Sequence, residues 1–214
     1  MKVLAPTKFF LLRGNHETRQ IQKLFTFEKD CNEKYGNRGH FVLDTINAVF
    51  DSLPFAAIVD EQIFCAHGGI PSSMSKVDLL CRFPNVIANP QKDAPAVWEI
   101  LWADPIEAGE LKNIGNFARK GGNEEAGFYN NTRRGTGYFF TEAATNNFLT
   151  VNGFSYIIRA HEMINAGYKF NHNGKVITIF SCSHYLGGGN KAAAIMVEAF
   201  SSEGFIKILQ LDTP

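Results

Sequence analysis

Lys8-Phe9-Phe10-Leu11-Leu12 runs directly into Arg13-Gly14-Asn15-His16-Glu17, a short apolar stretch ending in a polar tip. Its length and composition predict a buried strand that delivers its last residues to the edge of a sheet. The same form recurs twice. Gln62 to Ala66 ends in His67-Gly68-Gly69, and Phe154 to Arg159 continues as Ala160-His161-Glu162. One histidine after a strand reads as a hydrogen-bonded structural residue; three at parallel positions point to a site at the strand ends. Imidazole nitrogens together with an amide or carboxylate oxygen suit a divalent ion such as Zn, Mn or Fe. Gly14, Gly68 and Gly69 let the backbone approach a ligand closely.

Between the tips, helical spacing places Ile21, Leu24, Phe25 and Cys31 on one face of a segment from Thr18 to about Tyr35-Gly36. A second amphipathic helix carries Phe41, Ile46, Val49, Phe50 and Leu53 and stops at Pro54. Ala56 to Val59 and Gln62 to Ala66 flank Asp60-Glu61 as a hairpin. The stretch from Phe83 to Arg134 is irregular, with four prolines, a short helical segment from Trp98 to Trp102, and a Gly- and Asn-rich loop from Ala108 to Asn131. Thr141-Glu142-Ala143 opens a helix that Asn152-Gly153 closes. Strand-like segments follow at Phe154 to Arg159, Tyr168 to Asn171, Lys175 to Ser181, Ala192 to Ala199 and Phe205 to Leu211, with Asn173-Gly174 as a tight turn.

The 214 residues suffice for one domain or at most two, and 45% hydrophobic with 20% charged residues is the composition of a globular domain. Nineteen Phe residues require a substantial interior. Twenty-one basic against 21 acidic residues leave no broad charge for nucleic acid or an anionic membrane, so any anion must be met locally. No apolar run reaches the roughly 20 residues of a membrane span, and no signal-peptide core follows Met1-Lys2, so the expected location is the cytoplasm or nucleus. Cys31, Cys65, Cys81 and Cys182 lack metal or disulfide spacing and read as reduced core thiols.

Taken together, Leu11-Leu12-Arg13-Gly14-Asn15-His16-Glu17, His67-Gly68-Gly69, Leu101-Trp102-Ala103-Asp104-Pro105, Arg134-Gly135-Thr136-Gly137-Tyr138, Arg159-Ala160-His161-Glu162 and Ser181-Cys182-Ser183-His184-Tyr185 resemble the phosphoprotein phosphatase family of metal-dependent serine/threonine phosphatases, in order and spacing. The resemblance implies a two-sheet β-sandwich flanked by helices, of the metallophosphoesterase type. It implies Asn15, His67 and His161 as ligands of the family's second metal and His16 as the acid that protonates the leaving oxygen. Arg134 matches the arginine that clamps the phosphate, with Arg133 as its nearest rival; Asp104 matches an acid lining the cleft, and Tyr185 a tyrosine beside the metals. Tyr185 to Ala194, with Gly189-Asn190-Lys191, looks more like the phosphatases that carry EF-hand or helical-repeat regulators.

The family's two earlier motifs, GDxHG and GDxVDRG, have no counterpart here, so the resemblance covers the C-terminal three-quarters of a catalytic domain. The first metal's ligands are among what is missing. Two divalent ions (Mn, Fe or Zn) serve the family and at most one is expected in this chain, with Zn²⁺ the better guest for three neutral ligands. The expected partners are phosphorylated protein substrates, a regulatory subunit or the N-terminal segment. The expected function is hydrolysis of phosphoserine and phosphothreonine in proteins; the alternatives are an inactive phosphoprotein-binding module and a single-metal phosphoesterase. The isolated chain is expected to be marginal in stability, and Cys182-Ser183-His184 replaces the small-residue and Pro-Asn sequence usual before the tyrosine.

Overall fold

The computed structural model of the chain describes residues 1–119, 121–198 and 206–211. Three parallel strands form its centre: β2 (Ile63–Ala66), β6 (Tyr156–Arg159) and β8 (Val176–Ile179), with Cys65 opposite Ile158 and Ile158 opposite Ile177. Ile63, Phe64, Ile157, Val176 and Ile177 are all buried, as parallel strands covered on both faces must be. Antiparallel strands complete the sheet: β1 (Ala56–Val59) beside β2, and β7 (Tyr168–Asn171) beside β8. Both hairpins turn through left-handed backbone, at Asp60 and Glu61 in the first and at His172, Asn173 and Gly174 in the second.

Because β2, β6 and β8 run the same way, their carboxyl ends lie along one edge, and the His67, His161 and Tyr185 segments leave from it. Helix α8 (Glu142–Asn152) lays Phe148 and Leu149 into the core formed with Phe64, Ile157 and Val176. The Thr141 hydroxyl accepts the Ala144 N–H at its start, and Gly153 at φ 70° closes its end. Helix α5 (Pro95–Trp102) starts on a proline and is buried on almost every side, with Val97, Trp98, Leu101 and Trp102 packed against Ile21 and Ile87.

The mixed α/β class expected from the sequence is what the chain adopts. Beside the five-stranded sheet, β9 (Ala192–Val197) and β10 (Ile206–Leu211) form a two-stranded sheet, tied on where Ala193 N–H donates to Phe180 O and Ser181 Oγ to Ala193 O. A third sheet joins β3 (Asp104–Pro105), β5 (Tyr138–Phe140) and β4 (Phe128–Asn130). Ala199 and Phe205, where two expected strands meet, lie outside the described residues.

Several expectations need correction. Residues 8–12 are not a buried strand: Phe9, Phe10 and Leu11 are exposed, and the segment's one cross-chain backbone bond nearby is Arg13 N–H to Pro54 O. A strand is stable only with a neighbouring ladder, and among the described residues none lies alongside. The helix expected from Thr18 is two, α1 (Arg19–Leu24) and α2 (Phe27–Tyr35), broken at Phe25, which takes an extended conformation and leaves Leu24 and Phe25 exposed. On α3 (Gly39–Asp51) the buried face is Gly39, Leu43, Asn47 and Asp51, not the stripe of Phe41 and Val49, which faces outward. Asp51 turns the helix that way by pairing with Arg13 and Arg19. Of the four thiols only Cys31 is buried; Cys65 is half-buried, and Cys81 and Cys182 are exposed. The 108–131 segment is not a plain loop, since it holds α6 (Ala108–Leu111), α7 (Asn116–Arg119) and β4.

Candidate active site

The residues after β2 and β6 meet at a point. Asn15 Oδ1 lies 2.8 Å from His67 Nε2, and His161 Nδ1 lies 3.1 Å from the same nitrogen. Their backbones are coupled, because Ala160 N–H donates to His67 O. The third tip is fixed separately: Arg13 is fully buried and donates to Glu17 O and Ile87 O, while Glu17 accepts the Gly14 N–H. Gly68 donates to Ile100 O at 2.9 Å, and a Cβ there would stand 2.6 Å from that oxygen, so only glycine lets the His67 turn rest on the end of α5. His161 itself has φ 65°, a left-handed conformation that costs a non-glycine residue about 1–2 kcal/mol and is held here by the surrounding contacts.

The hydrogen count at this point is short. Asn15 Oδ1 only accepts, so His67 Nε2 carries the hydrogen, and His161 Nδ1 faces the same N–H as a second acceptor. Neutral His161 then bears its own hydrogen on Nε2, which is buried without a partner among the described residues. Burial lowers both imidazoles, His67 to about 3 and His161 to about 2, with Arg159 adding to it in each. Three neutral lone-pair donors converging on one point fit a borderline cation of the zinc type. Among the described residues no three His, Cys, Asp or Glu side chains gather where they could hold a metal; the donor set is two imidazoles and an amide.

An open cleft of about 660 Å³ brings together six of the seven sequence-predicted residues: Asn15, His16, His67, Arg134, His161 and Tyr185. His16 is exposed in it, its ring 5.1 Å from that of Phe25. Tyr185 packs edge-on against Phe180 at 5.1 Å. Arg134 directs Nε to Asp104 Oδ2 at 2.9 Å and Nη2 to His161 O at 3.2 Å; Nη1 makes no bond among the described residues. Arg133, the rival, turns away to Glu110 and Glu162.

Asp104 is the exception. It does not line the cleft: it is 0% exposed and sits behind Arg134, where it also receives Arg159 at 2.8 Å and Asn131 at 2.8 Å. Its position follows from α5, whose end and β3 bury Asp104 between two arginines. Burial pushes its carboxyl up, but Arg159 and the Arg134 hydrogen bond outweigh this and hold it well below the usual carboxylate range.

Three supporting residues were given no role by the sequence reading. Arg159, its side chain fully buried, donates to Gly68 O, Ala103 O, Asp104 and Glu162, so one guanidinium ties together the segments bearing His67, Asp104 and His161. An arginine ending an apolar strand was the available signal. Glu162, the second, is raised by burial and opposed by Arg159. Asn190, the third, is buried and shapes the Tyr185 loop by accepting Tyr185 N–H and donating to Cys182 O. A larger groove of about 920 Å³, around Phe154, Tyr156 and Phe170, contains none of the predicted site residues.

The sequence model of the family described as calcineurin-like phosphoesterase matches residues 1–165. The serine/threonine-protein phosphatase 6 catalytic subunit of Drosophila melanogaster is 32% identical over 196 residues, which is 92% of this chain and 57% of that protein. A solved protein serine/threonine phosphatase from Saccharomyces cerevisiae, described as similar to human phosphatase PP5, superposes with a TM-score of 0.78 at 28% identity, covering 100% of this chain and 63% of that one. The chain thus spans less than two thirds of the length of either relative.

Proposed function

The chain belongs to the calcineurin-like phosphoesterase family, and we propose on that premise that its chemistry is hydrolysis of phosphoserine and phosphothreonine in proteins. The observation that carries the reading is the convergence of Asn15, His67 and His161 within one cleft that Arg134 also enters. Asn15 Oδ1, His67 Nε2 and His161 Nδ1 would hold a divalent cation there, which would supply Lewis acidity toward water and the phosphoryl oxygens. The chain's own residues do the rest. Arg134, oriented by Asp104 and His161 O, turns its remaining Nη1 hydrogens to the phosphate and stabilises the charge that builds on its oxygens. His16, exposed in the cleft, donates a proton to the serine or threonine oxygen as it leaves. Tyr185 lines the same cleft, packed against Phe180.

Phosphate release from a phosphothreonine peptide by the full-length protein of the source cells tests this reading. The expected result is metal-dependent release, with kcat/KM falling about 10²- to 10³-fold on Arg134→Ala. Capture of the peptide without release, in Zn, Mn and Fe alike, would replace catalysis with phosphoprotein binding.

A further inference from the structure

We infer that Arg133 is a positioning residue for Arg134, held by Glu110 of the 108–131 segment, so that this segment sets how well the cleft grips phosphate. The inference rests on the functional reading above and extends it to residues outside the cleft.

The charged side chains form a closed circuit. Arg133 reaches Glu162 at 3.4 Å, Glu162 reaches Arg159 at 2.6 Å, Arg159 reaches Asp104 at 2.8 Å, and Asp104 reaches Arg134 at 2.9 Å. The peptide bond between Arg133 and Arg134 closes it. Glu162 gives one oxygen to each of its arginines, while Asp104 receives Arg134 on both oxygens and Arg159 on Oδ1, so both arginines of the loop are anchored to the same buried Arg159 by separate arms. Glu110 adds the last charge, 2.8 Å from Arg133, and the Arg133 guanidinium lies 4.8 Å over the Phe139 ring. Both backbone N–H groups of the pair donate to Asn131 Oδ1. Three arginines then face three carboxylates.

An exposed pair such as Glu110 with Arg133 contributes little by itself. Its effect here is on geometry, because Arg133 pinned from two sides fixes the backbone that carries Arg134. A guanidinium meets the phosphate oxygens well only if it is already aligned, and a loop free to move must be ordered at the expense of affinity.

The two accounts of Glu110 differ in sign. Removing a negative charge near an anion site tightens the anion by Coulomb's law; loosening the Arg134 loop weakens it. The experiment measures inorganic phosphate affinity and bound metal in the full-length protein, for Glu110→Gln, Glu110→Asp and Glu110→Gln combined with Arg134→Met. Glu110→Gln is expected to weaken phosphate about three- to tenfold with metal content unchanged, Glu110→Asp to restore most of it, and the Arg134→Met background to abolish the difference. Unchanged or tighter phosphate binding in Glu110→Gln overturns the inference, as does weakening that persists without Arg134. If Arg134→Met alone leaves phosphate affinity unaltered, the functional reading fails and this inference falls with it.

Discussion

His161 Nδ1 lies 3.1 Å from His67 Nε2, a nitrogen that Asn15 Oδ1 also approaches at 2.8 Å, so three electron-pair donors share one hydrogen. A cation in place of that hydrogen, which moves to His67 Nδ1, relieves the shortage. We expect one Zn²⁺ per chain from these donors, and loss of more than about 100-fold in affinity on His161→Ala, beyond what removal of a supporting contact costs. Calorimetric titration with Zn²⁺ checks both. With the imidazoles lowered to about 3 and about 2, binding at pH 6–7 should release roughly no protons, seen as heats that do not vary with buffer.

A buried neutral histidine makes stability fall in acid. His172 accepts from Thr145 at one ring nitrogen and donates to Ile106 O at the other, and burial, the largest influence, lowers its pKa. The unfolded chain takes up the proton near the ordinary value of about 6.5, whereas the fold resists it. The stabilisation is therefore complete above about pH 6.5 and is lost as pH falls toward the folded value, with a slope of at most about 1.4 kcal/mol per pH unit for each such group. His67 and His161 act in the same sense when no metal is bound. Urea midpoints between pH 8 and 5 in chelator should fall for the parent chain and fall less steeply for His172→Gln.

What was legible in the sequence was local. The Thr141 and Gly153 caps, the two hairpin turns and the strand-then-histidine tips at His67 and His161 each depend on a few adjacent residues, and each appears where expected. What was not legible depends on distant partners. Residues 8–12 have strand composition but no ladder beside them, and α3 turns on Asp51 because Arg13 and Arg19, more than thirty positions earlier, reach it. Asp104 was read as facing the cleft, since nothing in Trp102-Ala103-Asp104 shows that Arg159 and Asn131 enclose it from behind. Charge networks buried by packing leave no periodicity to read.

Arg134 and Arg159 both grip Asp104, yet their loss should separate function from folding. Arg134 is partly exposed, so Arg134→Lys should change stability by less than about 1 kcal/mol. It removes the Nη1 hydrogens that meet the phosphate and the planar contacts that aim them, and KM for a phosphopeptide should rise about tenfold or more. Arg159→Met leaves Asp104 and Glu162 short of a buried partner and should cost about 3–5 kcal/mol. Denaturant titration alongside initial rates distinguishes the two; equal losses of stability would contradict the burial argument.

Two glycines make the same contrast in the backbone. Gly153 ends α8 at φ 70° with open space where a Cβ would go, so Gly153→Ala meets only the conformational penalty, about 1 kcal/mol. Gly68 has no such room. An added Cβ there meets Ile100 O at 2.6 Å and Leu101 C at 2.8 Å, both backbone atoms that cannot swing aside. The turn must move instead, carrying His67, whose backbone oxygen holds Ala160, and displacing the Gly68 oxygen that receives Arg159. Gly68→Ala should therefore lose Zn²⁺ affinity along with stability, while Gly153→Ala keeps the parent affinity at a lower urea midpoint. Unimpaired Zn²⁺ binding in Gly68→Ala would show that the His67 turn does not depend on its contact with the end of α5.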